Sequence, residues 1–175
     1  ACVVQEKIGA VNAMAFDYNA ACSGFVVGTV IAGQFIETGV YKHVLVVAAD
    51  VLSKATDYKD RATCVLFGDA AGAAVLSATD EPGLLSFDMG ADGNGGKTIT
   101  SLAFRNDEEE TEKRISGRKE TIWMAGQSVM KFAVKAMADS SQRALDKAGL
   151  TYDDIALVVP HQANYRIVES AIKRM

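Results

Sequence analysis

Residues 43–49, HVLVVAA, are apolar without interruption from Val44 onward, and their reading decides the fold. A half-exposed strand alternates apolar with polar residues. A short run with no polar member instead predicts a strand covered on both faces, as in sheets flanked by helices. Just before it, Phe25, Val26, Val30, Phe35 and Ile36 recur at helical spacing over 24–38, with Gly39 as the stop. Helix then buried strand is the repeating unit of an α/β chain.

The same alternation continues outward. Residues 73–77 (AAVLS) and 84–89 (LLSFDM) predict strands joined at Pro82-Gly83, and GDAAG at 68–72 leads into the first. A long helix is expected from about 124 to 147, with Val129, Met130, Ala133, Val134 and Met137 as its apolar face and Gly149 as its end. Core packing is the default for its methionines. Asp153 and Asp154 mark a turn, 155–160 (IALVVP) reads as another buried strand, and a helix begins at Ala163. Toward the other end, 1–10 closes a helix at Gly9, 11–18 (VNAMAFDY) alternates as a strand, and 19–23 is a tight turn. The prediction is an α/β fold around a central, largely parallel sheet.

Composition narrows the function. The chain has 175 residues, 49% hydrophobic and 23% charged, which excludes a wholly disordered chain. Eighteen Lys and Arg against 22 Asp and Glu leave a net charge of −4, so no global basic excess points to nucleic acid or a membrane surface. No apolar run reaches the ~18–20 residues of a bilayer span. The start at Ala1 and the end at Met175, inside a predicted helix, read as an internal piece of a longer protein. Three cysteines at spacings of 20 and 42 form neither a disulfide framework nor a C-x-x-C pair, and they suit a reducing cytoplasm. GADGNGG at 90–96 offers Asp88 and Asp92 to calcium, but Ile99 stands where a bidentate Glu is required. It also lacks the P-loop spacing, and GDAAGAA lacks a dinucleotide fingerprint. No metal site is expected. The acidic block at 106–114 reads as a solvated loop.

Two residues have the setting for chemistry. Cys22, in NAACSGF, follows a predicted strand and opens a predicted helix, where free backbone N–H groups and the helix dipole favour an anionic sulfur. Gly24 supplies the close backbone approach that a strained nucleophile turn needs. The bland alternative, a small buried core residue, fits Cys2 and Cys64 better. His161 follows the strand 155–160 at the start of the last helix, the position where α/β proteins hold reactive groups. An imidazole there can act as acid, base or oxyanion donor, or merely cap the helix. His43, at a strand head with no polar company, reads as structural. Arg61, in KDRAT, and Arg166 can each hold a phosphate or carboxylate, although most surface arginines do nothing so specific.

Taken together, NAACSGF, VLFGDAAGAAVL, MAGQSVMKFAV and VVPHQANYRI resemble β-ketoacyl-[acyl carrier protein] synthase III, a thiolase-fold condensing enzyme. The resemblance covers essentially the whole chain. It implies a layered α-β-α-β-α fold of two similar halves, with 1–85 the later part of the first half and 86–175 the early part of the second. It implies a cytoplasmic homodimer that takes acyl-CoA and malonyl-acyl carrier protein as substrates and needs no cofactor. Cys22 would be the acyl-accepting nucleophile and His161 one of two groups polarising the donor thioester. Gln162, Ala163, Asn164, Tyr165 and Arg166 would meet the acyl carrier protein, with Arg166 the main basic contact. Arg61 would lie near the nucleotide end of coenzyme A, Phe67 and Met124 would line the acyl pocket, and Gly126 and Ala163 the pantetheine tunnel. The sequence departs from the family pattern at Gln127, often Asn in relatives, and at Met130, often Phe. The family's second catalytic residue, an Asn in a G-N-T-S-A-type turn, has no counterpart in the chain, and Asn164 is expected to cap the last helix instead. The implied activity is a decarboxylating condensation that starts fatty-acid synthesis. Alternatives are a related condensing enzyme of polyketide, quinolone or long-chain ketone synthesis, a Cys/His hydrolase, or a catalytically silent subunit.

Overall fold

Glycine stops and helical apolar spacing place the helices where the sequence predicts them. The computed structural model describes residues 1–101 and 121–175, so the acidic block lies outside the described residues. Helix α1 spans Cys2–Lys7 and is followed by Gly9 at φ +69°. Helix α2 spans Gly24–Glu37, and Gly39 leaves it at φ +74°. Helix α3 covers Gly126–Ala148 and ends on Gly149 at φ +68°, a left-handed conformation that costs an L-residue about 1–2 kcal/mol. Helix α4 covers Tyr165–Ile172. No helix among the described residues is long and apolar enough to cross a membrane.

The strands depart further from expectation. β1 (His43–Val51) pairs antiparallel with β2 (Asp69–Ser77), in register from His43 opposite Ser77 to Val51 opposite Asp69. β3 (Ile99–Ser101) pairs antiparallel with β4 (Ile122–Met124). Both described pairings are therefore antiparallel, not parallel. The connection fits the first: residues 52–68 hold turns and a 3-10 turn but no α-helix, the usual crossover of a parallel return. GDAAG is not a lead-in either, because Asp69 to Gly72 already belong to the ladder with β1.

Helix α2 packs on this ribbon, burying Val30 and Ala32 of the helix and Val46 of β1. Only one face of β1 is covered: Leu45 and Val47, pointing the other way, are exposed. The double burial expected for 43–49 does not hold among the described residues. His43 is structural, its Nδ1 lying 2.9 Å from the hydroxyl of its cross-strand partner Ser77.

Three predicted strands, 11–18, 84–89 and 155–160, form no ladder. A strand requires a neighbour, and none is found for them among the described residues. Residues 155–160 are mostly exposed, with Leu157 at 76% and Val159 at 82%. Residues 84–89 keep the period of two without the pairing. Leu84, Ser86 and Asp88 turn inward while Leu85, Phe87 and Met89 turn out. The inward residues tie the two ends of the chain together. Leu84 packs against Gly33 of α2, where an added Cβ would come within 2.8 Å of Leu84 Cδ2. Ser86 donates to the Ala144 carbonyl of α3 at 2.5 Å. The Asp88 carboxylate accepts from Arg143 and Lys147 of α3, each at 2.9 Å. These bonds, Arg143 first, hold the Asp88 carboxyl down at about 2. Helix α4 then seats Ile167 and Ala171 against α3.

Candidate active site

The turn before α2 is built to present a side chain. Residues Ala21–Ser23 form a single 3-10 turn running into Gly24, with Cys22 exposed at its centre. Ala21 adopts φ +45°, the one positive-φ residue other than glycine among the described residues. Such a conformation costs a residue with a Cβ on the order of 1–3 kcal/mol and persists only when its surroundings enforce it. The enforcing bonds are local. The Asn19 side chain accepts from the Ala21 N–H at 3.0 Å, and Ser23 Oγ donates to the Ala20 carbonyl at 3.1 Å. The Tyr18 hydroxyl donates to the Gly24 carbonyl at 2.8 Å and lies where a Cβ of Gly28 would be. The strain expected of a nucleophile turn is thus present, but at Ala21. Gly24 has an ordinary helical φ of −51°, and a Cβ there would meet nothing within 4 Å. Alanine gives no sequence signal for a left-handed turn, so this residue was not legible. Tyr18 was equally silent.

His161 lies between Pro160 and α4, exposed, with its carbonyl accepting from the Ala163 N–H at 3.0 Å. Asn164 caps α4 as expected: its backbone is extended, and its side-chain oxygen accepts from the Arg166 N–H at 2.8 Å. Gln162 donates to the Pro160 carbonyl at 3.1 Å. Gln162, Asn164, Tyr165 and Arg166 are each exposed, and Ala163 is half-buried. Neither Cys22 nor His161 makes a side-chain hydrogen bond among the described residues, so the two are not joined as a pre-bonded pair.

The remaining candidates fall into two groups. Met124 ends β4 and Gly126 opens α3, and a Cβ at Gly126 would lie 3.9 Å from Met124 Cε, so these two share one spot. Arg61 is exposed on the 52–68 loop, and Phe67 is half-buried on its return to β2. Gln127 is exposed in the first turn of α3, and Met130 is half-buried one turn on.

Comparison with known proteins places this geometry. The family model for 3-Oxoacyl-[acyl-carrier-protein (ACP)] synthase III matches residues 16–93. The model for the C-terminal part of the same enzyme matches 145–175. The β-ketoacyl-[acyl-carrier-protein] synthase III of Clostridioides difficile is 52% identical over the whole chain, which covers 53% of that protein. The solved synthase III of Thermus thermophilus superposes with a TM-score of 0.88 at 40% identity, over 99% of this chain and 53% of that one. The priming β-ketosynthase of the R1128 polyketide pathway gives a TM-score of 0.84 at 34% identity, over 99% of this chain and 51% of that one. The chain spans about half the length of the relatives it matches. Over that half, its α/β arrangement is that of the thiolase-like fold. With both family models matching, one around the Cys22 turn and the other through His161 to the last residue, the chain belongs to the β-ketoacyl-[acyl-carrier-protein] synthase III family.

Proposed function

We propose that this chain supplies the nucleophile and one oxyanion donor for the decarboxylating condensation of a short acyl-CoA with malonyl-acyl carrier protein, the step that starts fatty-acid synthesis. The observation that carries the reading is Cys22, exposed on a strained turn at the mouth of α2, in a chain half identical to named synthases. Cys22 sulfur, having given up its proton, attacks the acyl-CoA carbonyl; the new carbon–sulfur bond forms as the bond to coenzyme A sulfur breaks. The departing thiolate takes up a proton. Malonyl-acyl carrier protein then loses carbon dioxide, and the electrons of the broken carbon–carbon bond pass into an enolate. His161 donates to the enolate oxygen. The enolate carbon attacks acyl-Cys22, the β-ketoacyl product leaves on the carrier protein, and Cys22 thiolate is regenerated. Every bond made or broken is accounted for without metal or redox cofactor.

In this reading 1–85 is the nucleophile part and 86–175 the donor part. Phe67 and Met124 line the acyl pocket and Gly126 and Ala163 the pantetheine path. Gln162, Ala163, Asn164, Tyr165 and Arg166 meet the carrier protein, and the working unit is a cytoplasmic homodimer. The family's second donor, an Asn, has no counterpart in this sequence.

The test separates the two half-reactions. His161→Ala should lower malonyl-dependent condensation by about 100–1,000-fold, as loss of an oxyanion donor does, and lower acyl transfer to Cys22 far less. Condensation at the parent rate would contradict the role of His161. Free acid released equally with and without malonyl donor would point to a hydrolase. Polyketide priming is the second reading, favoured by the likeness to the R1128 enzyme. Exchanging the acyl-CoA and carrier-protein donors and identifying the products distinguishes it.

A further inference from the structure

The loop at 52–68 leaves β1 and returns to β2, and it carries Arg61 near its middle and Phe67 on its return. Its base is closed by one carboxylate. Asp69, the first residue of β2, accepts from the Ser53 N–H at 2.7 Å through one oxygen and from the Ser53 hydroxyl at 2.6 Å through the other. Val51 stands directly opposite Asp69, so this latch begins where the β1–β2 ladder stops. Hydrogen bonding from the Ser53 hydroxyl, then from its N–H, holds the Asp69 carboxyl below the usual carboxylate range. The latch therefore joins two chain positions 16 residues apart through an ionised, two-pronged acceptor.

Inside the closed base the loop is bonded to itself. Thr56, buried, donates to the Leu52 carbonyl at 2.7 Å. Thr63, 3% exposed, donates to one oxygen of Asp60 at 2.9 Å, and the Ala62 N–H donates to the other at 3.1 Å. The Cys64 N–H reaches the Asp60 carbonyl at 2.9 Å. The backbone is thus fixed on both sides of Arg61, while the Arg61 side chain stands exposed. A compact loop with joined ends and an internal core holds one conformation, and a cation on it is presented to a ligand at low ordering cost.

We infer that Asp69 is a positioning residue, which by clasping Ser53 holds the 52–68 loop so that Arg61 meets the phosphates at the nucleotide end of coenzyme A. The inference rests on the place that the family resemblance implies for Arg61, near the nucleotide end of coenzyme A. Asp69 touches neither the acyl group nor the reacting sulfur; it acts through the loop.

The test uses binding and hydrogen exchange on the 175-residue chain. Calorimetry compares coenzyme A with pantetheine, which has the same arm and no nucleotide. Arg61→Ala should lower the preference for coenzyme A about fivefold, the scale of one exposed ion contact. Asp69→Asn should lower the same preference by a similar factor, because the guanidinium is no longer held in place. In the Asp69→Asn variant the peptide over 52–58 should exchange about tenfold faster, having lost hydrogen bonds to a charged acceptor. A general loss of structure would weaken both ligands together and would not move their ratio. Should Asp69→Asn not fold, Ser53→Ala removes only the hydroxyl bond and should give a smaller fall in the same ratio. A fall with Arg61→Ala but none with Asp69→Asn or Ser53→Ala would overturn the latch and leave the nucleotide contact standing. An unchanged ratio in Arg61→Ala would overturn the nucleotide contact itself, and the latch's role with it.

Discussion

Ala21, the residue before Cys22, is held at φ +45°, whereas Asn164, three residues after His161, sits in extended backbone and caps α4 with its own side chain. One turn is held open against its preference; the other follows an ordinary helix start. The difference matches what each residue is proposed to do. A nucleophile must project from the backbone far enough for a thioester carbonyl to reach it, and strain at the preceding residue gives that projection. An oxyanion donor needs only a fixed ring with a free N–H, and a capped helix start fixes the chain without strain. The supports differ accordingly. Tyr18, Asn19 and Ser23 brace the Cys22 turn through bonds confined to 18–24, while the His161 turn relies on the Asn164 cap and on α4 packing against α3.

Substitutions that act on one turn alone sharpen the contrast. The largest effect is expected at Gly28, where an alanine Cβ would collide with the Tyr18 hydroxyl and come within 3.0 Å of Val46 Cγ1. Gly28→Ala should destabilise by about 1–3 kcal/mol in denaturant unfolding and slow acylation of Cys22, because Tyr18 must leave Gly24. Unchanged stability would show that the Tyr18 brace is dispensable. Asn164→Ala should cost about 1 kcal/mol, the value of an N-cap, without slowing acylation. A slower acylation in that variant would mean that the two turns are coupled. The smallest effect has the opposite sign. Ala21 is exposed, so Ala21→Gly should gain less than ~1 kcal/mol, strain relief being partly offset by a looser unfolded chain. A net loss above that size would refute the strained reading of the turn.

The sequence reading succeeded where the determinants are local. Gly39 and Gly149 end α2 and α3 at positive φ, and Asn164 caps α4, each readable from a residue and its neighbours. Strands depend on partners, and there it erred. Residues 155–160 have the composition of a buried strand, yet no described neighbour pairs with them and Leu157, Val158 and Val159 are exposed. Residues 84–89 show the same limit from the other side: the inward and outward faces were legible, the missing ladder was not. Around the candidate site, the places of Cys22 and His161 just ahead of α2 and α4 were legible. The Ser53–Asp69 latch was not, because nothing in either residue announces a partner 16 positions away.

The central claim is that Cys22, and not either of the other cysteines, accepts the acyl group. It is tested most directly by the intact mass of the folded protein before and after exposure to acetyl-CoA, with peptide mapping of any adduct. The account predicts one acyl group per chain, carried on Cys22 and absent from the Cys22→Ser variant. Acyl mass on exposed Cys2 or on half-buried Cys64, or no adduct on a folded chain, would contradict it.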